Sequence, residues 1–166
     1  MKSFFNSTVA QIAWVVKDIA SAERFFSETL GINNFSRPEI IRLKDFQSTY
    51  YGDPCDGESL LTIAYAGGTF IELIQPLSGR SIFQDFIDKN PAGGLHHVAY
   101  SLPLRDLDKV ISEMATKGYE VVTSVKHPIA EIVFFDTSKE LGVFTEVMGI
   151  TEEGEKAVQK MKGETL

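Results

Sequence analysis

Cysteine is nearly absent from this sequence: Cys55 is the only one among 166 residues, so an intramolecular disulfide is excluded. Long apolar runs are also missing, since no stretch approaches the roughly 20 residues of a membrane-spanning helix. The N-terminus lacks the apolar segment of a secretory signal peptide. Positive charge is scarce, because 16 Lys and Arg face 23 Asp and Glu, for a net charge of −7. We therefore expect a cytoplasmic protein without a nucleic-acid or membrane partner.

Low-complexity segments are absent too, and the 43% hydrophobic and 23% charged residues are ordinary for a soluble globular protein. The length allows one compact domain, or two half-size modules that share a core. A chain of this size buries enough apolar surface to fold without disulfides.

Two short segments of the chain resemble each other. Gln-Ile-Ala-Trp at residues 11–14 and His-Val-Ala-Tyr at residues 97–100 each place one polar side chain inside an apolar strand. Each strand precedes an Asp that predicts a helix N-cap (Asp18 and Asp106) and a Gly that predicts the helix end (Gly31 and Gly118). The sequence therefore predicts two copies of one unit.

Alternating apolar residues predict seven strands in all. The predicted strands cover residues 8–16, 60–66, 69–75, 95–102, 119–125, 131–136 and 142–148. A short amphipathic helix is expected within residues 76–90, and Gly67-Gly68 indicates a hairpin. The pattern predicts an α+β fold with a first module at residues 1–90, a second at 91–150 and a charged tail at 151–166, while residues 34–58 read as an irregular loop.

Four polar residues occupy strand faces that are otherwise apolar. They are Gln11, Glu72, His97 and Glu146. Taken singly, such a residue is more often hydrogen-bonded in a core or turned to solvent. Their positions match, however, because Gln11 and His97 open the two repeats and Glu72 and Glu146 lie in the last strand of each. Since buried carboxylates are costly unless they are paired or bind metal, the four invite one common explanation.

Four longer segments resemble the vicinal oxygen chelate superfamily of glyoxalases, bleomycin-resistance proteins and extradiol dioxygenases. They are Gln-Ile-Ala-Trp-Val-Val-Lys-Asp-Ile from Gln11, Phe-Ile-Glu-Leu-Ile-Gln-Pro from Phe70, Gly-Leu-His-His-Val-Ala from Gly94 and Gly-Val-Phe-Thr-Glu-Val from Gly142. Members similar to glyoxalase I and to methylmalonyl-CoA epimerase are nearest. The resemblance implies two paired βαβββ modules that form an open cup around one divalent metal.

The resemblance also implies the ligands: the family's four metal positions fall on Gln11, Glu72, His97 and Glu146. His97, rather than His96, aligns with Gln11, so His96 should point to the opposite face of its strand. One imidazole and three oxygen ligands suit Zn²⁺, Ni²⁺, Co²⁺ or Mn²⁺, with Mg²⁺ less favoured.

A site of this kind predicts an enzyme that removes a proton next to a carbonyl or thioester of a small organic substrate. It would be an isomerase, an epimerase or a glyoxalase-type lyase, with Glu146 as the base and Glu72 as the second candidate. A non-catalytic binding or resistance protein is the alternative. An extradiol dioxygenase is less favoured, because Gln11 replaces one of the two His ligands that non-haem iron prefers. We expect a homodimer, which would cover exposed sheet edges.

Overall fold

A computed structural model describes residues 8–163 of the chain. Residues 1–7 and the last three residues of the predicted tail, 164–166, lie outside the described residues. Within the described part, ten strands share one curled, open sheet. The strands are β1 (Thr8–Val15), β2 (Glu39–Arg42), β3 (Thr49–Tyr50), β4 (Asp53–Pro54), β5 (Glu58–Ala66), β6 (Thr69–Ser78), β7 (Gly94–Pro103), β8 (Val121–His127), β9 (Ala130–Phe135) and β10 (Phe144–Ile150).

Five helices connect or flank these strands in the described residues. They are α1 (Ile19–Leu30), α2 (Ile82–Lys89), α3 (Leu107–Thr116), α4 (Ser138–Leu141) and α5 (Glu152–Met161). Single turns of 3₁₀-helix cover Leu43–Phe46 and Leu104–Asp106. None of the helices in residues 8–163 combines the length and apolar character needed to cross a membrane.

The strand order in the sheet is β2-β5-β6-β1-β7-β10-β9-β8-β3-β4. The strands β1 and β7, which open the two repeats, pair antiparallel at the centre. Each also pairs in parallel with the last strand of its own repeat, β1 with β6 and β7 with β10. The arrangement confirms the predicted α+β fold with two strand–helix–three-strand units.

The helix α1 has the predicted ends. The Asp18 side chain accepts hydrogen bonds from the backbone N–H groups of Ala20 and Ser21, and Gly31 adopts the left-handed conformation with φ of 73°. The matching prediction for Asp106 is wrong in its detail. Asp106 precedes α3 but has helical backbone angles and makes no capping bond, because the 3₁₀ turn leads directly into the helix.

The segment between β2 and β5, which reads as an irregular loop, crosses to the far edge of the sheet. There β3 pairs with β8 of the second repeat, and Thr49 Oγ1 lies 2.8 Å from Ser124 Oγ. The hydroxyl of Tyr50 donates to Asp85 of α2 at 2.7 Å, and the Arg80 guanidinium lies 4.8 Å from the Tyr50 ring centre. We call residues 43–54 the crossing segment. It forms a wall that both repeats support.

The apolar core lies beneath the central strands. Ala13 and Val15 of β1 pack with Ile82 and Phe83 of α2 and with Phe134 of β9. The amphipathic pattern that predicted α2 is confirmed by this contact, since Ile82 and Phe83 are both buried. The helix α2 therefore packs against the sheet next to the polar residues of β6 and β10.

The charged C-terminal segment forms the helix α5, which docks beside β10. The close approach of α5 to Ile129 requires a glycine at position 154, because a Cβ atom at Gly154 would overlap the carbonyl oxygen of Ile129. Thr151 caps the helix by accepting from the Gly154 N–H and also donates to Ile129 O.

Candidate metal centre

The four polar residues that stand out in the sequence lie on the four central strands of the sheet. In the parallel ladder Glu72 of β6 is opposite Ala13, and in the antiparallel ladder His97 of β7 is opposite the same residue. Phe144 of β10 is opposite His97, which places Glu146 two residues further along, on the same face. The buried Ala13 offers only a methyl group, so the side chains on either side of it can meet.

The structure brings all four side chains together. His97 Nε2 lies 2.8 Å from Glu146 Oε2 and 3.3 Å from Glu72 Oε2. Gln11 Nε2 donates to Glu72 Oε2 at 2.7 Å and lies 3.5 Å from His97 Nε2. Ligand atoms of Glu72, His97 and Glu146 all fall within 4.8 Å of one another. Each of the four central strands therefore contributes one side chain to a single polar cluster.

Burial sets the electrostatics of this cluster. Burial raises the pKa of the Glu72 carboxyl above its ordinary value, while the contact with His97 offsets part of the rise. Burial lowers the pKa of His97, but the Glu146 and Glu72 carboxylates outweigh it and raise the pKa to about 9. A cation between the two carboxylates is thus strongly favoured, and without a metal the imidazolium supplies it.

His96 has a different place from His97. It lines a separate cavity, with Phe86 and Phe144, away from the one that Glu72 and Glu146 line, which accords with its expected orientation. Its ring stacks on Phe144 at 4.9 Å, yet its Nδ1 lies 2.9 Å from His97 Nδ1. A register shift in the β1–β7 ladder occurs next to this position.

The position of the His96 ring bears on the tautomer of His97. Burial, followed by the nearness of His97, lowers the pKa of His96 to about 3, so this ring is neutral. A neutral His96 can accept at Nδ1 the proton that His97 carries at its own Nδ1. That tautomer leaves the lone pair of His97 Nε2 directed at the carboxylates, as metal-binding imidazoles are usually held.

The donor set fits a divalent cation. Glu146 Oε2 is buried and has no hydrogen-bond donor of satisfactory geometry among residues 8–163. Two carboxylates balance a +2 charge, and rotation of the Gln11 amide would present its Oε1 as a fourth donor. A nitrogen and three oxygens at a buried site match borderline transition metals better than Mg²⁺.

An apolar cavity of about 190 Å³ opens beside the cluster, with Glu72 and Glu146 in its wall. The crossing segment contributes Leu43 and Phe46 to this cavity. The rest of the cavity wall comes largely from β5, β8 and β9.

Two cavity residues were missed from the sequence. Ser59 of β5 and Thr123 of β8 are buried and line the cavity. Strand alternation could have indicated them, since Ser59 shares a face with Leu61, and Thr123 with Val125. Cys55 is buried and its thiol donates to the carbonyl of Arg80 at 3.1 Å. Burial raises the pKa of this thiol, which suits a structural role.

Comparison with known proteins identifies related sequences and structures. The family model for the Glyoxalase/Bleomycin resistance protein/Dioxygenase superfamily matches residues 10–135. An ethylmalonyl-CoA/methylmalonyl-CoA epimerase of Cereibacter sphaeroides is 32% identical over 91 residues, which cover 55% of this chain and 58% of the relative. The match therefore spans little more than half the length of that curated relative.

Solved structures have the same fold. Methylmalonyl-CoA epimerase from Mycobacterium tuberculosis superposes with a TM-score of 0.64 at 19% identity, covering 95% of each chain. A Streptomyces coelicolor methylmalonyl-CoA epimerase variant in complex with 2-nitronate-propionyl-CoA gives 0.62 at 18% identity, covering 87% of this chain and 94% of the other. These likenesses confirm the cup-shaped architecture.

Proposed function

The chain belongs to the glyoxalase, bleomycin-resistance protein and dioxygenase superfamily, and we propose that it is a metal-dependent enzyme that removes a proton next to a thioester carbonyl. An epimerase or isomerase is the reaction type that we favour. The observation that carries the proposal is the meeting of Glu72, His97 and Glu146, with Gln11, at the wall of an apolar cavity. The epimerase relative and the acyl-CoA analogue bound by the Streptomyces protein support the choice of thioester.

Gln11, Glu72, His97 and Glu146 would hold the ion, which we propose to be Zn²⁺, Ni²⁺, Co²⁺ or Mn²⁺. When bound, the ion would act as a Lewis acid that polarises the carbonyl of the substrate. His97 is kept in the ligating tautomer by His96, whose Nδ1 lies 2.9 Å away. Glu72 and Gln11 support each other through their 2.7 Å hydrogen bond.

Glu146 is our proposed base, with Glu72 as the second candidate. Glu146 is 3% exposed and borders the cavity, so a substrate in the cavity would meet a carboxylate shielded from water. The cavity walls would exclude water from the reacting carbon, and the crossing segment would complete that enclosure.

The test is exchange of the substrate's α-proton with solvent deuterium, followed by NMR. Methylmalonyl-CoA and ethylmalonyl-CoA are the first substrates to offer to the purified protein, whose metal content is measured on the same sample. We expect bound divalent metal and measurable exchange. Glu146→Gln should reduce exchange at least 100-fold while the fold is retained, because general acid–base groups contribute ~10²–10⁴-fold.

Glu153→Gln on the exposed side of α5 is the matched control, and its exchange rate should equal that of the unaltered protein. Undiminished exchange in Glu146→Gln removes Glu146 as the base. Absence of both bound metal and exchange would instead favour the non-catalytic binding protein. The homodimer stays a prediction, to be measured by analytical ultracentrifugation.

A further inference from the structure

A second cavity, of about 230 Å³, lies on the same face of the sheet as the candidate metal centre. Because alternate residues of a strand share a face, Phe70, Glu72 and Ile74 of β6 point the same way. Phe70 lines this second cavity, whereas Glu72 and Ile74 line the first cavity of about 190 Å³. The strand β10 has the same order, since Met148 lines the second cavity and Glu146 the first. The candidate metal centre therefore lies between two cavities.

The helix α5 covers the second cavity. It begins against the second repeat, where Gly154 packs closely on the carbonyl group of Ile129. Its C-cap residue, Lys162, reaches the first repeat, where Lys162 Nζ lies 5.6 Å from the centre of the Tyr65 ring. Between these two contacts Val158 lines the cavity, so we call this space the α5 chamber. Its apolar walls come mainly from Ile63, Phe70, Met148, Ile150, Val158 and Met161.

The apolar walls of the α5 chamber remain accessible to a ligand. Ile63, Met148 and Val158 are each only partly buried, so their side chains keep surface that a bound molecule can cover. A concave site with apolar walls and few polar groups is the usual form of a small-molecule site. Covering these walls with hydrocarbon would be favourable, because it removes apolar surface from water.

The α5 chamber begins directly beside the metal centre. Gln11 lines the chamber, and its Nε2 donates to Glu72 Oε2 at 2.7 Å. Ile63, a second lining residue, is opposite Glu72 in the ladder between β5 and β6. Opposite residues of an antiparallel pair have neighbouring side chains on one face. A substrate held at the metal centre can therefore extend a branch into the chamber.

The charge of the α5 chamber favours a hydrocarbon branch. Of the described residues that line it, Lys162 is the one that carries a charge, and its ammonium group lies over the Tyr65 ring. An ammonium group is attracted to the face of an aromatic ring, so it keeps a favourable contact at this position. Hydrocarbon can thus fill the chamber without leaving an ionised side chain buried and unpaired.

We propose that the α5 chamber binds a hydrocarbon branch on the α-carbon of the substrate. The inference rests on the proposed function and narrows it: the preferred thioester carries an α-substituent longer than ethyl. The thioester end of the substrate lies at the metal centre, and the branch lies under α5. Val158 and Met161 are then specificity residues that take no part in proton transfer.

Binding of two matched thioesters tests the proposal. Methylmalonyl-CoA and butylmalonyl-CoA carry the same charges and differ by three methylene groups. Their Kd values are measured by isothermal titration calorimetry on the purified protein supplied with Zn²⁺. A fully buried methylene changes Kd by about fourfold, and the chamber would bury only part of the branch. We therefore expect butylmalonyl-CoA to bind about 10-fold more tightly.

Two substitutions that fill the chamber should remove this preference. In Val158→Phe and in Met161→Trp the ratio of the two Kd values should fall towards one, because the larger side chain occupies the space of the branch. Lys156→Phe is the matched control, since Lys156 is exposed on the same helix and does not line the chamber. Its Kd ratio should equal that of the unaltered protein, because a lost surface charge affects both thioesters alike.

The outcomes separate this proposal from the proposed function. Equal or weaker binding of butylmalonyl-CoA by the unaltered protein, or no binding of either thioester, overturns the role of the α5 chamber. An undiminished ratio in both chamber variants does the same. A clear preference for butylmalonyl-CoA without exchange of any α-proton would support the chamber and reject the proposed enzyme. Exchange without that preference would do the reverse.

Discussion

Replacing Thr123 by valine should stabilise the protein. The Thr123 hydroxyl is buried at 2% exposure without a partner in residues 8–163, and an unsatisfied buried hydroxyl costs ~1–3 kcal/mol. Valine has nearly the same shape and is equally suited to a strand, so little packing is lost. We expect the free energy of unfolding to rise by about 1 kcal/mol, which corresponds to roughly 2–4 °C in Tm for a chain of this size.

Thr145→Val provides the contrast. Thr145 is also buried, at 7% exposure, but its hydroxyl lies 2.8 Å from that of Thr137. Losing that bond should lower the free energy of unfolding by about 1 kcal/mol. Urea unfolding followed by circular dichroism, with a chelator present throughout, compares the two variants. An equal loss of stability in both variants would mean that the Thr123 hydroxyl is satisfied in the folded protein, and the reasoning would be refuted.

Two further perturbations test the site and the tail. Adding Zn²⁺ at 100 times its Kd should raise the Tm by about 5–10 °C, because metal binding then adds ~2.7 kcal/mol to the free energy of unfolding. Glu72→Gln or Glu146→Gln should abolish most of that rise. A Tm that does not change with metal in the unaltered protein would contradict the site. Gly154→Ala should destabilise by roughly 1–3 kcal/mol through overpacking against Ile129. Limited proteolysis should then cut within α5, whereas the exposed substitution Glu155→Ala should leave it intact.

The candidate site could be located from the sequence because strand faces alternate strictly. A polar residue such as His97 or Glu146 is conspicuous on a face that is otherwise apolar, and its position relative to the strand start recurs in the other repeat. The convergence itself depends on register, which the sequence pattern does not specify. The pairing of β1 with its two neighbouring strands must be known before one can see that Glu72 and His97 flank the same residue, Ala13.

The crossing segment could not be predicted for a different reason. Its strands β3 and β4 are two residues each, too short to have a periodicity, and β3 pairs with a strand about 75 residues later in the chain. Ser59 and Thr123 were missed because hydroxyl residues are common in strands. Their place in the cavity wall becomes evident only from the three-dimensional structure.

The crossing segment also has a consequence for how this protein can diversify. It belongs to none of the four central strands, yet Leu43 and Phe46 form part of the cavity wall. Substitutions or changes of length there would reshape the cavity and leave the ladders around Ala13 untouched. Loops tolerate such changes far better than central strands do. Under the proposed function, changes in this one segment would alter which substrates fit the cavity, while the residues of the candidate metal centre stay unchanged.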